Sequence, residues 1–109
     1  MASAIKITRW SKNTLPSEAE LHQMLQAQGL QPFRWSNSPG DTYPPHLHPY
    51  RKVIYVVQGS ITFGLPEEGN LLPLSPGDRL DLPAGMLHDA RVGSQGVVCL
   101  EAHLEGDEP

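Results

Sequence analysis

Three histidines are the residues of this sequence whose type and spacing best suit metal chemistry. His46 and His48 stand two residues apart in the segment PPHLHP, so on an extended backbone both imidazoles point to the same side and can chelate one ion. His88 follows later, after a turn at residues 83–85 that can bring its strand back beside the first pair. Neutral imidazoles favour one divalent transition metal, Zn, Fe, Ni, Mn or Cu, with water or substrate in the remaining positions.

A structural role for the same histidines is the alternative. His46 and His48 would then cap the entry to a strand beside Pro45 and Pro49, and His88 would be a hydrogen-bonded core residue. An H-x-H pair alone is a weak indication of a metal. The choice therefore depends on the elements that position the three side chains.

Short strands are the elements predicted to carry the histidines. From residue 33 onward, short apolar runs with a period of two are separated by turn residues, which is typical of an antiparallel sandwich or barrel. Strands are predicted at residues 52–57, 60–65, 71–74, 79–82, 87–92 and 97–104, with Gly59 forming a tight hairpin between the first two. The predicted fold class is all-β.

One helix is predicted at residues 18–28, outside the sheet. Ser17 and Glu20 form a capping box at its start, and Gly29 ends it. Its apolar residues recur at a spacing of three and four and are expected to pack on the domain as one stripe, formed by Leu21, Met24 and Leu25.

The histidines and the glycines around them resemble the two motifs of the cupin superfamily. The first motif, G-x5-H-x-H-x3,4-E-x6-G, is matched by Gly40, His46, His48 and Gly59. The second, G-x5-P-x-G-x2-H-x3-N, is matched by Gly77, Pro83, Gly85 and His88, with Val92 in place of Asn. The resemblance covers residues 40–92. It implies a jelly-roll-like antiparallel β-barrel of six to eight strands with a metal inside.

Lys52 departs from this pattern, because it stands where the first motif has its Glu. In the four-residue register that position is taken by Val53 instead. A cation about 5 Å from a divalent ion is repelled by several kcal/mol at an effective dielectric constant near 20. Three outcomes follow: Lys52 turns away, Lys52 loses its proton and stays close, or the barrel holds no metal. A neutral Lys52 would be a catalytic acid, base or anion anchor.

Two further side chains with chemical potential lie near the C-terminus. Glu101 is a possible substitute carboxylate, although an outward or rim position is the expectation for it. Cys99 is expected to be a small buried hydrophobe, since a lone cysteine forms no internal disulfide. The tyrosines and tryptophans are given no specific role.

Composition limits the partners of this chain of 109 residues. Its net charge of −4 and its eight scattered Lys and Arg residues argue against nucleic acid, which requires a clustered basic face. No apolar run approaches the ~20 residues that span a bilayer. A cytoplasmic protein is therefore predicted, with a small-molecule ligand. A homodimer is expected to cover exposed strand edges.

The length predicts one domain over residues 1–109, divided into an N-terminal segment with the helix (1–32), the barrel (33–104) and a short acidic tail (105–109).

Two functions are consistent with this predicted barrel. One is a metal-dependent oxygenase or isomerase acting on a small molecule in the barrel mouth. The other is a barrel that binds or senses an acidic small molecule without turnover. The fold hosts both.

Overall fold

The computed structural model describes residues 5–104, so the predicted acidic tail at residues 105–109 lies outside the described part of the chain. One helix and seven strands form within it. In chain order they are β1 (Lys6–Thr8), α1 (Glu18–Ala27), β2 (Phe33–Asn37), β3 (Thr42–His46), β4 (Arg51–Leu65), β5 (Asn70–Leu74), β6 (Arg79–Leu82) and β7 (His88–Leu104).

All strand pairs are antiparallel, as predicted for an all-β fold. The hydrogen-bonded order is β1-β6-β4-β7-β2, with β3 also pairing with β7 and β5 with β4. The sheet curves into a barrel-like jelly roll that hydrogen bonds among these strands do not close. Its centre is the long ladder between β4 and β7, which joins Arg51 to Leu104 at one end and Gly64 to Asp89 at the other.

The predicted hairpin at Gly59 is wrong. Gly59 lies inside the continuous strand β4, where the ladder to β7 shifts register before and after it. Its φ of +78° belongs to a bulge, and a Cβ at this position would stand 2.0 Å from the carbonyl oxygen of Gly96. The two strands predicted at 87–92 and 97–104 are likewise one strand, β7. Bulges and hairpins use the same glycines, so the local sequence does not separate them.

Alternation along β4 divides its side chains between two apolar clusters. Ile54, Val56 and Ile61 face the barrel interior, while Val53 and Tyr55 face α1 on the outside. The interior cluster is completed by other buried residues of β4 to β7: Phe63, Leu74, Leu80, Ala90, Val92, Val97 and Cys99.

Helix α1 begins as predicted and packs on the outer face of β4 and β7. The Ser17 hydroxyl caps it by accepting a hydrogen bond from the Glu20 amide at 3.1 Å. Leu21 and Leu25 are buried, but Met24 is 37% exposed and does not belong to the buried stripe. Helix α1 therefore contacts the sheet through Leu21 and Leu25, which stand four residues apart on one face of the helix. With ten residues, α1 is not a candidate for crossing a membrane, and no other described helix is.

Candidate metal centre

Strand pairing brings the three predicted histidines together. His46 ends β3 and is the cross-strand partner of His88, which begins β7, while His48 follows β3 by two residues. One ring nitrogen from each histidine lies within 4.8 Å of the other two. His88 is fully buried, and the other two are partly buried. The arrangement allows all three imidazoles to reach a common point.

Backbone carbonyls orient two of the imidazoles. The Nδ1 atom of His46 lies 2.7 Å from the Pro44 carbonyl oxygen, and that of His88 lies 2.9 Å from the Met86 oxygen. Because a carbonyl oxygen only accepts, each Nδ1 carries a proton, and in the neutral imidazole the Nε2 atom is then the one that keeps its lone pair. The Nδ1 atom of His48 lies 3.2 Å from the Tyr50 hydroxyl, which can accept in the same way.

The Nε2 atoms facing the cluster suit a metal. Among residues 5–104, the Nε2 atoms of His48 and His88 are buried without a hydrogen-bond partner. Burial lowers the pKa of His88 to about 4, and burial followed by the Lys52 charge lowers the pKa of His48. Both rings are therefore neutral at pH 7. Unpartnered neutral imidazole nitrogens that converge on one point are the donor set that a transition metal requires.

Lys52 lies inside the barrel beside this cluster. Its side chain is 10% exposed, and its Nζ atom lies 3.8 Å from Oε1 of Glu101. Burial lowers the pKa of Lys52, and the Glu101 charge opposes that shift. Of the three outcomes considered for this residue, the one in which its side chain turns out to solvent is not observed.

The expected outward or rim position of Glu101 is wrong. Glu101 is 7% exposed and lines the same cavity as Lys52. Its cross-strand partner on β4 is Ile54, which faces the barrel interior, and this pairing carries Glu101 inward. Its carboxylate accepts a hydrogen bond from Trp35 Nε1 at 3.0 Å and contacts His103 Nε2 at 2.5 Å. Glu101 lies outside the converging histidine group, so it is the counter-ion of Lys52 rather than a fourth ligand.

Cys99 is buried on the same strand face, as expected. Burial raises the pKa of its thiol, with the Glu101 charge acting in the same direction. The thiol therefore stays protonated and apolar in character, which is consistent with a packing role.

A cavity of about 240 Å³ opens beside the histidines. It is smaller than the roughly 300–1,000 Å³ of pockets that hold drug-sized ligands. Aromatic side chains that received no role from the sequence form much of its wall, namely Phe33, Trp35, Tyr43 and Phe63, with Ile54 and Ala90 between them. Tyr50 lies outside this wall, between the rings of His48 and His103 at centroid distances of 5.0 and 4.2 Å. The alternation of side chains along β2 places Trp35 on one face of that strand. Only the pairing of β2 with β7 decides that this face looks inward.

Comparison with known proteins agrees with this architecture. Residues 33–102 match the family model described as a cupin domain. None of the curated proteins compared with the chain is detectably similar in sequence.

Several solved structures share the fold of this barrel. The polyketide cyclase RemF from Streptomyces resistomycificus is 29% identical with a TM-score of 0.60, over 70% of this chain and 55% of RemF. KdgF from Halomonas sp. is 30% identical with a TM-score of 0.55, over 67% of each chain. An RmlC-like cupin from Shewanella frigidimarina shares the fold at 23% identity and a TM-score of 0.60, over 72% of this chain and 68% of the other.

Proposed function

Because this chain belongs to the cupin domain family, we propose that it is a metal-dependent enzyme of the isomerase type that moves a proton on a small carbonyl compound in the barrel mouth. The observation that carries this proposal is the convergence of three histidine nitrogens beside a cavity that also contains the Lys52 amine. RemF, a polyketide cyclase, is a similar barrel that acts as an enzyme, which supports turnover here.

His46, His48 and His88 would hold one divalent transition metal, which supplies Lewis-acid polarisation of a substrate oxygen. Lys52 would perform the proton transfer. Burial lowers its pKa, so the neutral amine is more accessible than in water. The Nζ lone pair takes a proton from the carbon next to the carbonyl, the C–H electron pair moves toward that oxygen, and the proton returns at a neighbouring atom.

The other cavity residues would prepare this step. Glu101 holds the Lys52 amine on the inner side of β4, and Trp35 fixes Glu101 by donating its indole N–H. Ile54, Phe63 and Ala90 line the cavity with apolar surface, which lowers its polarity. A small substrate carbonyl would thus meet a base in a cavity of low polarity.

Metal content is the first test. Protein purified without a His tag should contain about one transition metal per chain, and His46→Ala or His88→Ala should remove it. His22→Ala on α1 is the matched control and should retain the metal. Wild-type protein that neither contains nor takes up Zn, Fe, Ni, Mn or Cu would refute the proposal.

Proton exchange is the second test. Metal-loaded protein in D₂O should exchange the protons next to the carbonyl of small ketones and aldehydes, measured by NMR. Lys52→Met should keep the metal but lose the exchange. Equal exchange by wild type and Lys52→Met would exclude Lys52 as the base.

An oxygenase would use the same three histidines, and bound Zn would exclude it. Zn has no redox chemistry, whereas Fe, Mn and Cu do. The non-catalytic alternative, a barrel that binds an acidic small molecule, is favoured by one observation: the Lys52 side chain lies in the cavity with its counter-ion Glu101 at 3.8 Å, beyond hydrogen-bond distance. Ligand binding without proton exchange or oxygen consumption would support it.

A further inference from the structure

Lys52 is a buried side chain whose Nζ atom forms an ion pair with Glu101. An ammonium has three donors, and buried ammonium groups are normally paired. Within residues 5–104, the carboxylate nearest to Nζ is that of Glu101 at 3.8 Å, which is an ion-pair distance but too long for a hydrogen bond. Glu101 at this distance can take at most one of the three Nζ donors, so the others can reach a further acceptor.

Glu101 is held away from Lys52 by its other partners. Oε1 accepts the Trp35 indole N–H at 3.0 Å, and Oε2 contacts His103 at 2.5 Å. Both carboxylate oxygens are thus engaged by side chains of β2 and β7. Glu101 balances the charge of Lys52 without occupying all three of its donors.

The cavity in front of Lys52 is otherwise mostly apolar. Lys52 and Glu101 are the charged groups among its described lining residues when the histidines are neutral. A ligand with one negative group can place it on Lys52 and lay its apolar body against Ile54, Phe63 and Ala90. A second negative group would be desolvated against apolar walls or repelled by Glu101.

We propose that the ligand of this cavity is a small monocarboxylate with an apolar body, whose carboxylate binds the ammonium of Lys52. The inference names the ligand class for the non-catalytic alternative given under the proposed function and rests on it in that respect, since a Lys52 ammonium that holds a carboxylate has no lone pair to act as a base. The pairing of an ammonium with a carboxylate is stronger than a hydrogen bond between neutral groups, and burial strengthens it further.

The test is calorimetric titration with matched probes: benzoate against benzamide, and butyrate against butyramide. The acid of at least one pair should bind wild type about tenfold or more tightly than its amide. Lys52→Met should abolish this preference. Lys6→Met, which removes a charge from an exposed position on β1, should keep it. Equal affinity for acid and amide in both pairs, absence of binding by all four probes, or a preference that survives in Lys52→Met would overturn the inference.

Two further binding titrations test the same inference. Glu101→Gln removes the opposing charge, so it should strengthen benzoate binding several-fold, and weaker binding in this folded variant would count against a carboxylate on Lys52. Succinate should bind metal-free protein more weakly than butyrate, and equal or tighter succinate binding would overturn the single-charge specificity.

Metal titration separates this inference from the proposed function. If the acid preference is present in protein that takes up no metal, the metal-dependent enzyme is refuted and the carboxylate site stands. If metal binds to the three histidines and acid and amide bind equally, the metal centre stands and the carboxylate site is refuted.

Discussion

At the scale of single residues, the centre combines three imidazoles with an amine on β4 and a carboxylate on β7. Lys52 and Glu101 lie 3.8 Å apart, so the pair adds no net charge when both are ionised. A divalent ion on the histidines would make this end of the cavity positive. The identity of residue 52 should therefore control both metal and ligand affinity.

Substitutions of Lys52 test its effect on the metal. Lys52→Met removes a nearby positive charge and should tighten metal binding, while Lys52→Glu adds a carboxylate and should tighten it further, by at least about tenfold relative to wild type. Lys6→Glu controls for the change in net charge. Competition with a chromogenic chelator measures the affinities. Equal metal affinities for wild type and both Lys52 variants would mean that residue 52 does not affect metal binding.

His88 should make the metal-free protein sensitive to acid. Its pKa is about 4 in the folded protein and near 6.5 when unfolded, so between these values the unfolded chain binds the extra proton. The free energy of unfolding should fall as the pH drops from about 6.5 to about 4, by about 3 kcal/mol from this residue. Urea unfolding of wild type and His88→Gln in the presence of EDTA isolates the effect. Parallel pH profiles for the two proteins would contradict it.

The sequence alone allowed the candidate metal-binding histidines to be identified, but not the residues that lie next to them in the structure. His46, His48 and His88 were identifiable because their spacing relative to glycines and prolines is itself the signal. Glu101 was not, because alternation gives two faces of a strand but does not tell which one looks inward. Only the register of β7 against β4, which pairs Glu101 with Ile54, decides that question.

At the scale of elements, β4 and β7 each continue through positions where local sequence predicts an interruption. Helix α1 could be located because Ser17 and Gly29 mark its two ends within a few residues. Gly59 was misassigned because its conformation serves a bulge as well as a turn, and the difference lies in the distant partner Val97. The local sequence does not reveal which residues pair with partners far away along the chain.

Because Gly59 lies in a bulge, we predict that replacing it lowers the free energy of unfolding strongly, for steric reasons. Gly59→Ala adds a Cβ 2.0 Å from the Gly96 carbonyl oxygen and strains a φ of +78°. Gly69→Ala strains a similar φ of +72° but meets nothing within 4 Å, so it should cost only about 1–2 kcal/mol. The free energy of unfolding, measured in denaturant, should fall by several kcal/mol for Gly59→Ala. Similar losses for the two variants would show that β4 relaxes around the bulge.

At the scale of the whole molecule, β2 is an edge strand. It pairs with β7 on one side, and Phe33 at its start is 45% exposed. An exposed edge with apolar side chains favours self-association. The homodimer therefore remains a prediction, as do the single domain over residues 1–109 and the cytoplasmic location.

Light scattering tests the dimer directly. At micromolar concentration the measured mass should be about twice the 12.0 kDa of one chain. Dilution provides the control, since a reversible dimer dissociates at low concentration. A mass of 12.0 kDa throughout the micromolar range would exclude it.

The ladder between β4 and β7 also has a consequence for the kinetics of folding. The sequence separation of paired residues is smallest at Gly64 and Asp89 and grows steadily toward Arg51 and Leu104. The entropy lost on closing a loop rises with its length, so we expect pairing to begin at the near end and proceed outward. Lys52 would meet Glu101 and His103 only in the last steps. The charged end of the cavity would therefore be the last part of the ladder to form and the first to fray.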